Sequence, residues 1–179
     1  MTPAVQMVCL DALIESVREV AATVLGGLSF EVVPLREIAA GHGAYVGLVA
    51  EDEPIQVGIL VEGDGCQGLA KTLLGMSSTD EDLPPADVSD AMCEIINIVA
   101  GGLKRRVHDR MPVVMGLPLF VSGQPLPNQQ QSLSACSIRL GEVEARVLLL
   151  TQKTDAVAAS RHGVAIQASG QKSANERLA

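Results

Sequence analysis

Aromatic side chains are nearly missing from this 179-residue chain, which has two Phe, one Tyr and no Trp. Nucleic-acid binders use aromatic platforms and basic tracks, and a formal charge of -8 repels phosphate backbones, so nucleic acid is excluded as a partner. Long apolar runs are also lacking. The longest, such as Val113 to Val121, fall far short of the roughly 18 residues of a membrane span, and no membrane partner is expected. The N-terminus shows no basic flank before an apolar run and no small-residue cleavage site, from which a cytoplasmic location is expected. Cysteine is sparse and unpatterned. Cys9, Cys66, Cys93 and Cys136 form no C-x-x-C pair and no zinc-like spacing with His42, His108 or His162, so they read as reduced small hydrophobes and no metal site is expected. Gly63-Asp64-Gly65 lacks the lysine of a phosphate loop and reads as a strand-to-helix turn.

What the chain does have is core-forming material: 47% of its residues are hydrophobic, enough for one domain at about 100 to 200 residues per domain. Thr2-Pro3 marks a helix start, Leu13, Val17, Val20 and Val24 recur on one face, and Gly26-Gly27 stop the run. Strands are predicted over Phe30 to Ile38, Ala44 to Glu51 and Ile55 to Glu62, the last two as a hairpin. Asp64 stands at an N-cap position before a short helix that Gly75 ends. The polar stretch Ser77 to Pro85 reads as an exposed linker, with Asp80, Glu81 and Asp82 as a solvated charge run. A long helix follows over Ala86 to Val107, then strands over Val113 to Val121, Ser134 to Leu140 and Ala145 to Thr151. The fold class is α+β. One domain is expected over residues 1–151, with a polar extension, partly helical or frayed, over 152–179.

The long helix separates into two faces at about 100° per residue. Val88, Met92, Ile95, Ile96, Val99 and Leu103 form the apolar stripe that a helix buries, while Asp90, Glu94, Asn97, Gly101 and Lys104 gather opposite. A charged outer face is ordinary, but two features of this one are not. Asn is a poor interior helix residue, and Gly101-Gly102 together cost roughly 2 kcal/mol relative to alanines. That loss points to a flat surface or a close backbone approach.

The run Asp90-Ala-Met-Cys-Glu94-Ile-Ile-Asn97-Ile-Val-Ala-Gly101 resembles the signature of the CheC/CheX/FliY chemotaxis phosphatase family. One copy of the signature is visible, which makes the CheX-like members the closer match. The resemblance implies a CheC/CheX-like fold, with long helices packed on a mainly antiparallel β-sheet. It also implies a phospho-aspartyl protein phosphatase acting on a phosphorylated CheY-like response regulator in chemotaxis or two-component signalling. Asn97 would orient the attacking water and Glu94 would contact the partner's active-site lysine, with Asp90 and Gly101 supporting the motif. Residues 94 and 97 are an i, i+3 pair, so both side chains project from one face. The chain would need no cofactor of its own, and Mg²⁺ is expected on the partner. A homodimer formed through the sheet is also implied. Lys104, Arg105, Arg106 and Arg110 complement the helix dipole, and docking of an acidic partner by Lys104 and Arg105 is a second reading of the same charges. The alternative function is a non-catalytic module that binds the regulator or works in a flagellar switch, because fold alone does not separate the two.

Overall fold

The computed structural model describes residues 2–35, 41–50, 53–123 and 126–153. Helix α1 spans Pro3–Thr23. The Thr2 hydroxyl accepts from the Val5 N–H at 3.4 Å, and Pro3 sits in the first turn, where its missing N–H costs nothing. Cys9, Leu13, Val17, Val20 and Ala21 recur at helical spacing and are all buried. Gly26 and Gly27 then take φ of 63° and 80°, which ends the helix as expected.

Strands β1 (Phe30–Val33), β2 (Gly41–Ala50) and β3 (Glu53–Val61) follow. The strand predicted over Phe30 to Ile38 pairs only to Val33; Pro34 has no N–H to give a ladder, and residues 36–38 lie outside the described ones. Helix α2 is Gly65–Leu73, with Asp64 at its N-cap position, although the Asp64 side chain makes no capping bond. Helix α3 is Pro85–Val107, and β4 (Val113–Gly123), β5 (Gln131–Leu140) and β6 (Val143–Gln152) complete the described chain. The expected polar extension lies outside the described residues, apart from Gln152, which closes β6, and Lys153.

The six strands make one sheet in the order β1-β5-β6-β3-β2-β4, and every neighbouring pair is antiparallel. β2 and β3 form the expected hairpin, with Ala50 opposite Glu53. β2 also pairs with β4, far along the chain, which puts β4 at a sheet edge. Three helices packed on this sheet give the α+β architecture expected. The main core joins Leu13, Val17 and Val20 of α1 and Met92, Ile95, Ile96, Val99 and Leu103 of α3 to Val46, Val57, Ile59, Val147 and Leu149 of the sheet. Each such aliphatic side chain contributes about 1.5–3 kcal/mol by leaving water. A smaller cluster of Leu60, Leu148 and Leu150, with Tyr45 beside it, is separate from that core. This explains why β6 is buried at almost every position instead of at alternate ones.

The linker after α2 is not a free charge run. Lys71 is nearly fully buried, and its ammonium donates to the Asp80 carbonyl at 2.7 Å and to the Asp82 carboxylate at 2.9 Å. Asp80 in turn accepts from the Ser77 N–H at 2.7 Å. The lysine straps the linker to α2 and so fixes where α3 begins.

Candidate functional site

Helix α3 is held on three sides, by α1, by α2 and by strands β2 and β4. Pro85 opens it with Asp87 in the first turn, and Lys104, Arg105 and Arg106 close it, an order of charges that favours the helix dipole at both ends. Its buried side is Val88, Ala91, Met92, Ile95, Ile96, Val99, Ala100, Gly102, Leu103 and Val107. The remaining side is the strip named from the sequence. Asp90, Glu94 and Lys104 are exposed, and Asn97 and Gly101 are half-buried.

Among the described residues, the side chains of Glu94, Asn97 and Lys104 have no hydrogen-bonding or ion-pair partner. Asn97 is therefore not a core asparagine satisfied by its neighbours, and its amide keeps a donor and an acceptor to offer. A carboxylate and an amide one turn apart, both unengaged, can enter a partner's cleft together.

The two glycines of α3 divide the roles foreseen for them. A Cβ built on Gly102 would lie 2.9 Å from both Cβ and Oγ of Ser16, so Gly102 is where α1 comes close. A Cβ on Gly101 would meet nothing within 4 Å. The bare position at 101 serves no contact inside the described chain.

Of the two cations considered for docking, one is already engaged. Glu19 of α1 pairs with Arg106 at 2.8 Å and with Arg105 at 3.7 Å. The Arg106 guanidinium, first by hydrogen bond and then by charge, holds the Glu19 carboxyl below its ordinary range, with Arg105 adding to the effect. Arg106 also donates to the Ser16 hydroxyl at 3.3 Å. Arg105 is thus part of an α1–α3 clamp, and Lys104 is the cation left unpaired on the strip.

The other flank of the strip is strand β4. The Cys93 thiol, one residue before Glu94, lies against the Phe120 backbone. Burial pushes that thiol up, the Asp90 charge adds to the rise, and the Phe120 contact opposes both. Phe120 is half-buried and packs on the main core. The exposed His42 ring stacks on it with 6.4 Å between centroids and 10° between planes. The sequence assigned neither residue to the strip, because β2 and β4 are far apart in the chain. Among the described residues no group of three or more His, Cys, Asp or Glu is arranged to hold a metal ion, and no helix is long and apolar enough to cross a membrane.

The profile of the family described as chemotaxis phosphatase CheX matches residues 44–139, more than half of the chain. Curated proteins gave no significant sequence match. Among solved structures, the chemotaxis protein CheX from Vibrio vulnificus is similar with a TM-score of 0.67 at 18% identity, covering 80% of this chain and 96% of that one. A chain of the CheX-CheY-BeF3-Mg+2 complex from Borrelia burgdorferi is similar with a TM-score of 0.61 at 16% identity, covering 80% and 97%. FliY from Thermotoga maritima is similar with a TM-score of 0.59 at 13% identity, covering 90% and 96%.

Proposed function

The chain belongs to the CheX family of chemotaxis phosphatases, and on that premise we propose that it hydrolyses the aspartyl phosphate of a CheY-like receiver domain with Glu94 and Asn97. One observation carries this reading above the others: the two side chains stand one turn apart on a helix face with no partner among the described residues. The Asn97 amide oxygen accepts a hydrogen bond from a water and holds the oxygen of that water in line with the phosphorus. That oxygen forms the new P–O bond as the bond to the receiver's carboxylate breaks; the protons of the water leave with the inorganic phosphate, and the aspartate is released as its carboxylate. Positioning of this kind is most of what phosphoryl transfer asks of a protein. Glu94 contacts the receiver's lysine and fixes the register of the two proteins. The receiver supplies Mg²⁺, as the likeness to a complex whose name includes CheY, BeF3 and Mg+2 supports.

The active form is a homodimer. β4 is an edge strand, and Val114, Leu117 and Leu119 along it are 68%, 86% and 68% exposed, a combination that invites pairing with another chain unless it is covered. The location that fits this function is the cytoplasm.

The test is release of phosphate from CheY-like receivers charged with acetyl phosphate, with and without the protein. Accelerated release is expected. Tight binding of the charged receiver without faster release would instead favour the non-catalytic module.

A further inference from the structure

The α3 strip is too small to be the whole docking surface. From residue 90 to residue 104 a helix rises about 21 Å and presents a width of about 10 Å, roughly 200 Å². Specific protein partners each cover about 800 Å², and transient ones somewhat less. A receiver seated over Glu94 and Asn97 must therefore spread beyond α3, towards α1, α2 or the β2–β4 strands. On the α2 side Lys71 is taken by Asp80 and Asp82, and Gln67 by Asp82.

The α1 side offers groups that already have partners. Glu19 is shared by Arg105 and Arg106, and Ser16 is taken by Arg106. The β4 side differs. Phe120 and His42 face it as one stacked pair, and Cys93 joins Phe120 to the very turn of α3 that carries Asp90 and Glu94. The pair is held in place rather than loosely exposed. The Phe120 side chain rests on the core, and the His42 carbonyl accepts from the Cys66 thiol of α2 at 3.4 Å. A chain with only two Phe and three His places one of each together on the two strands that pack against α3. The outer ring adds little to the fold, since His42 is exposed.

We infer that the His42–Phe120 stack is a second docking element, an aromatic shelf that receives a loop of the receiver next to its phosphorylated aspartate. The inference rests on the phosphatase reading for the identity of the partner. A flat ring surface takes the aliphatic part or the peptide plane of such a loop, and the imidazole edge offers hydrogen bonds to the acidic groups that surround a Mg²⁺-bound phosphoryl site. A few well-packed side chains near the centre of an interface carry most of its binding free energy. The shelf touches no reacting atom, so it sets affinity and leaves the chemical step to Asn97.

The experiment uses the full chain and CheY-like receivers charged with beryllofluoride and Mg²⁺ for binding, or with acetyl phosphate for turnover. His42→Ala and Phe120→Leu should each raise Kd and KM by about tenfold while kcat stays within about twofold, and His42→Phe should restore most of the affinity. The melting temperature of His42→Ala should match wild type. If both variants bind and turn over as wild type does, the shelf is wrong. If the wild type binds the charged receiver through His42 but releases no phosphate, the phosphatase reading fails and the shelf stands. If the wild type binds no charged receiver, the shelf has no occupant and the inference is overturned.

Discussion

Gly102 of α3 and Ser16 of α1 meet in the α1–α3 contact, and the space between them has no room for a methyl group, since a Cβ at 102 would lie 2.9 Å from Ser16. Its neighbour Gly101 points to open space. Two adjacent glycines with the same helix-propensity cost therefore sit in different surroundings, one packed against α1 and one facing no neighbour among the described residues.

Opposite effects on stability follow for one substitution at two neighbouring sites. Gly102→Ala should destabilise by about 1–3 kcal/mol, because overpacking forces the helices apart. Gly101→Ala should stabilise by up to about 1 kcal/mol, raising the melting temperature by about 2–4 °C for a domain of this size. If position 101 is bare for a partner's sake, the stabilised variant should also lose kcat/KM on the charged receiver. Calorimetry and phosphate release on the same two preparations decide it, and a Gly101→Ala protein both more stable and fully active would show that the bare position has no partner.

The α3 faces were legible in the sequence because they are local. Val88 to Leu103 repeat at the helical period, so a buried stripe and an opposed strip could be drawn before any tertiary contact was known. Nothing local revealed what flanks the strip. His42 and Phe120 come together only through the β2–β4 pairing, in which Ala44 stands opposite Phe120, and no pattern within either segment announces the other. The linker was legible as an exposed, acidic crossing, and Asp80, Glu81 and Asp82 are all exposed. Its tie to α2 was not legible, because nothing local shows that Lys71 is buried, with its ammonium against Asp80 and Asp82. Gly101-Gly102 stood out by composition, but only the approach of α1 separated their roles.

The clamp between α1 and α3 should fail in acid. Arg106 and Arg105 lower the Glu19 carboxyl from its ordinary 4.5, so the folded state holds Glu19 ionised more firmly than the unfolded chain does. The stabilisation is complete above 4.5 and is lost as pH falls through the lowered folded value. Glu19→Gln should consequently melt below wild type at neutral pH, and the gap should close on acidification. A gap of constant size across that range would mean that packing, not the ion pair, carries the effect.

The edge position of β4 leads to an expectation about assembly. Light scattering at micromolar concentration should give twice the 18.7 kDa chain mass. Replacing Leu117, the most exposed of the large apolar residues on that strand at 86%, by Lys should shift the protein towards monomer, because charge on an edge strand opposes pairing. A monomer in the wild type would remove the homodimer from the proposal and leave the α3 chemistry untouched.

The division of labour between Asn97 and Glu94 can be read in kinetics. An amide that orients water acts mainly in the transition state, so Asn97→Ala should lower kcat by roughly 10²-fold or more while KM and the affinity for a beryllofluoride-charged receiver change little. Asn97→Asp keeps the shape but adds a negative charge facing the phosphoryl group, and it should be no more active than the alanine variant. Glu94→Ala removes a charged contact with the partner, worth about 1–3 kcal/mol, so it should weaken binding and kcat/KM together. Neither change should unfold the protein. Both side chains lack partners among the described residues, and alanine favours a helix over asparagine by up to about 0.7 kcal/mol, so Asn97→Ala should melt at or slightly above wild type. Loss of activity in Asn97→Ala therefore cannot be assigned to lost fold. A well-folded Asn97→Ala protein that dephosphorylates its receiver at the full rate would falsify the water-orienting role, because among the described residues Asn97 is the amide on this face of α3 and no second one stands beside Glu94 to take its place.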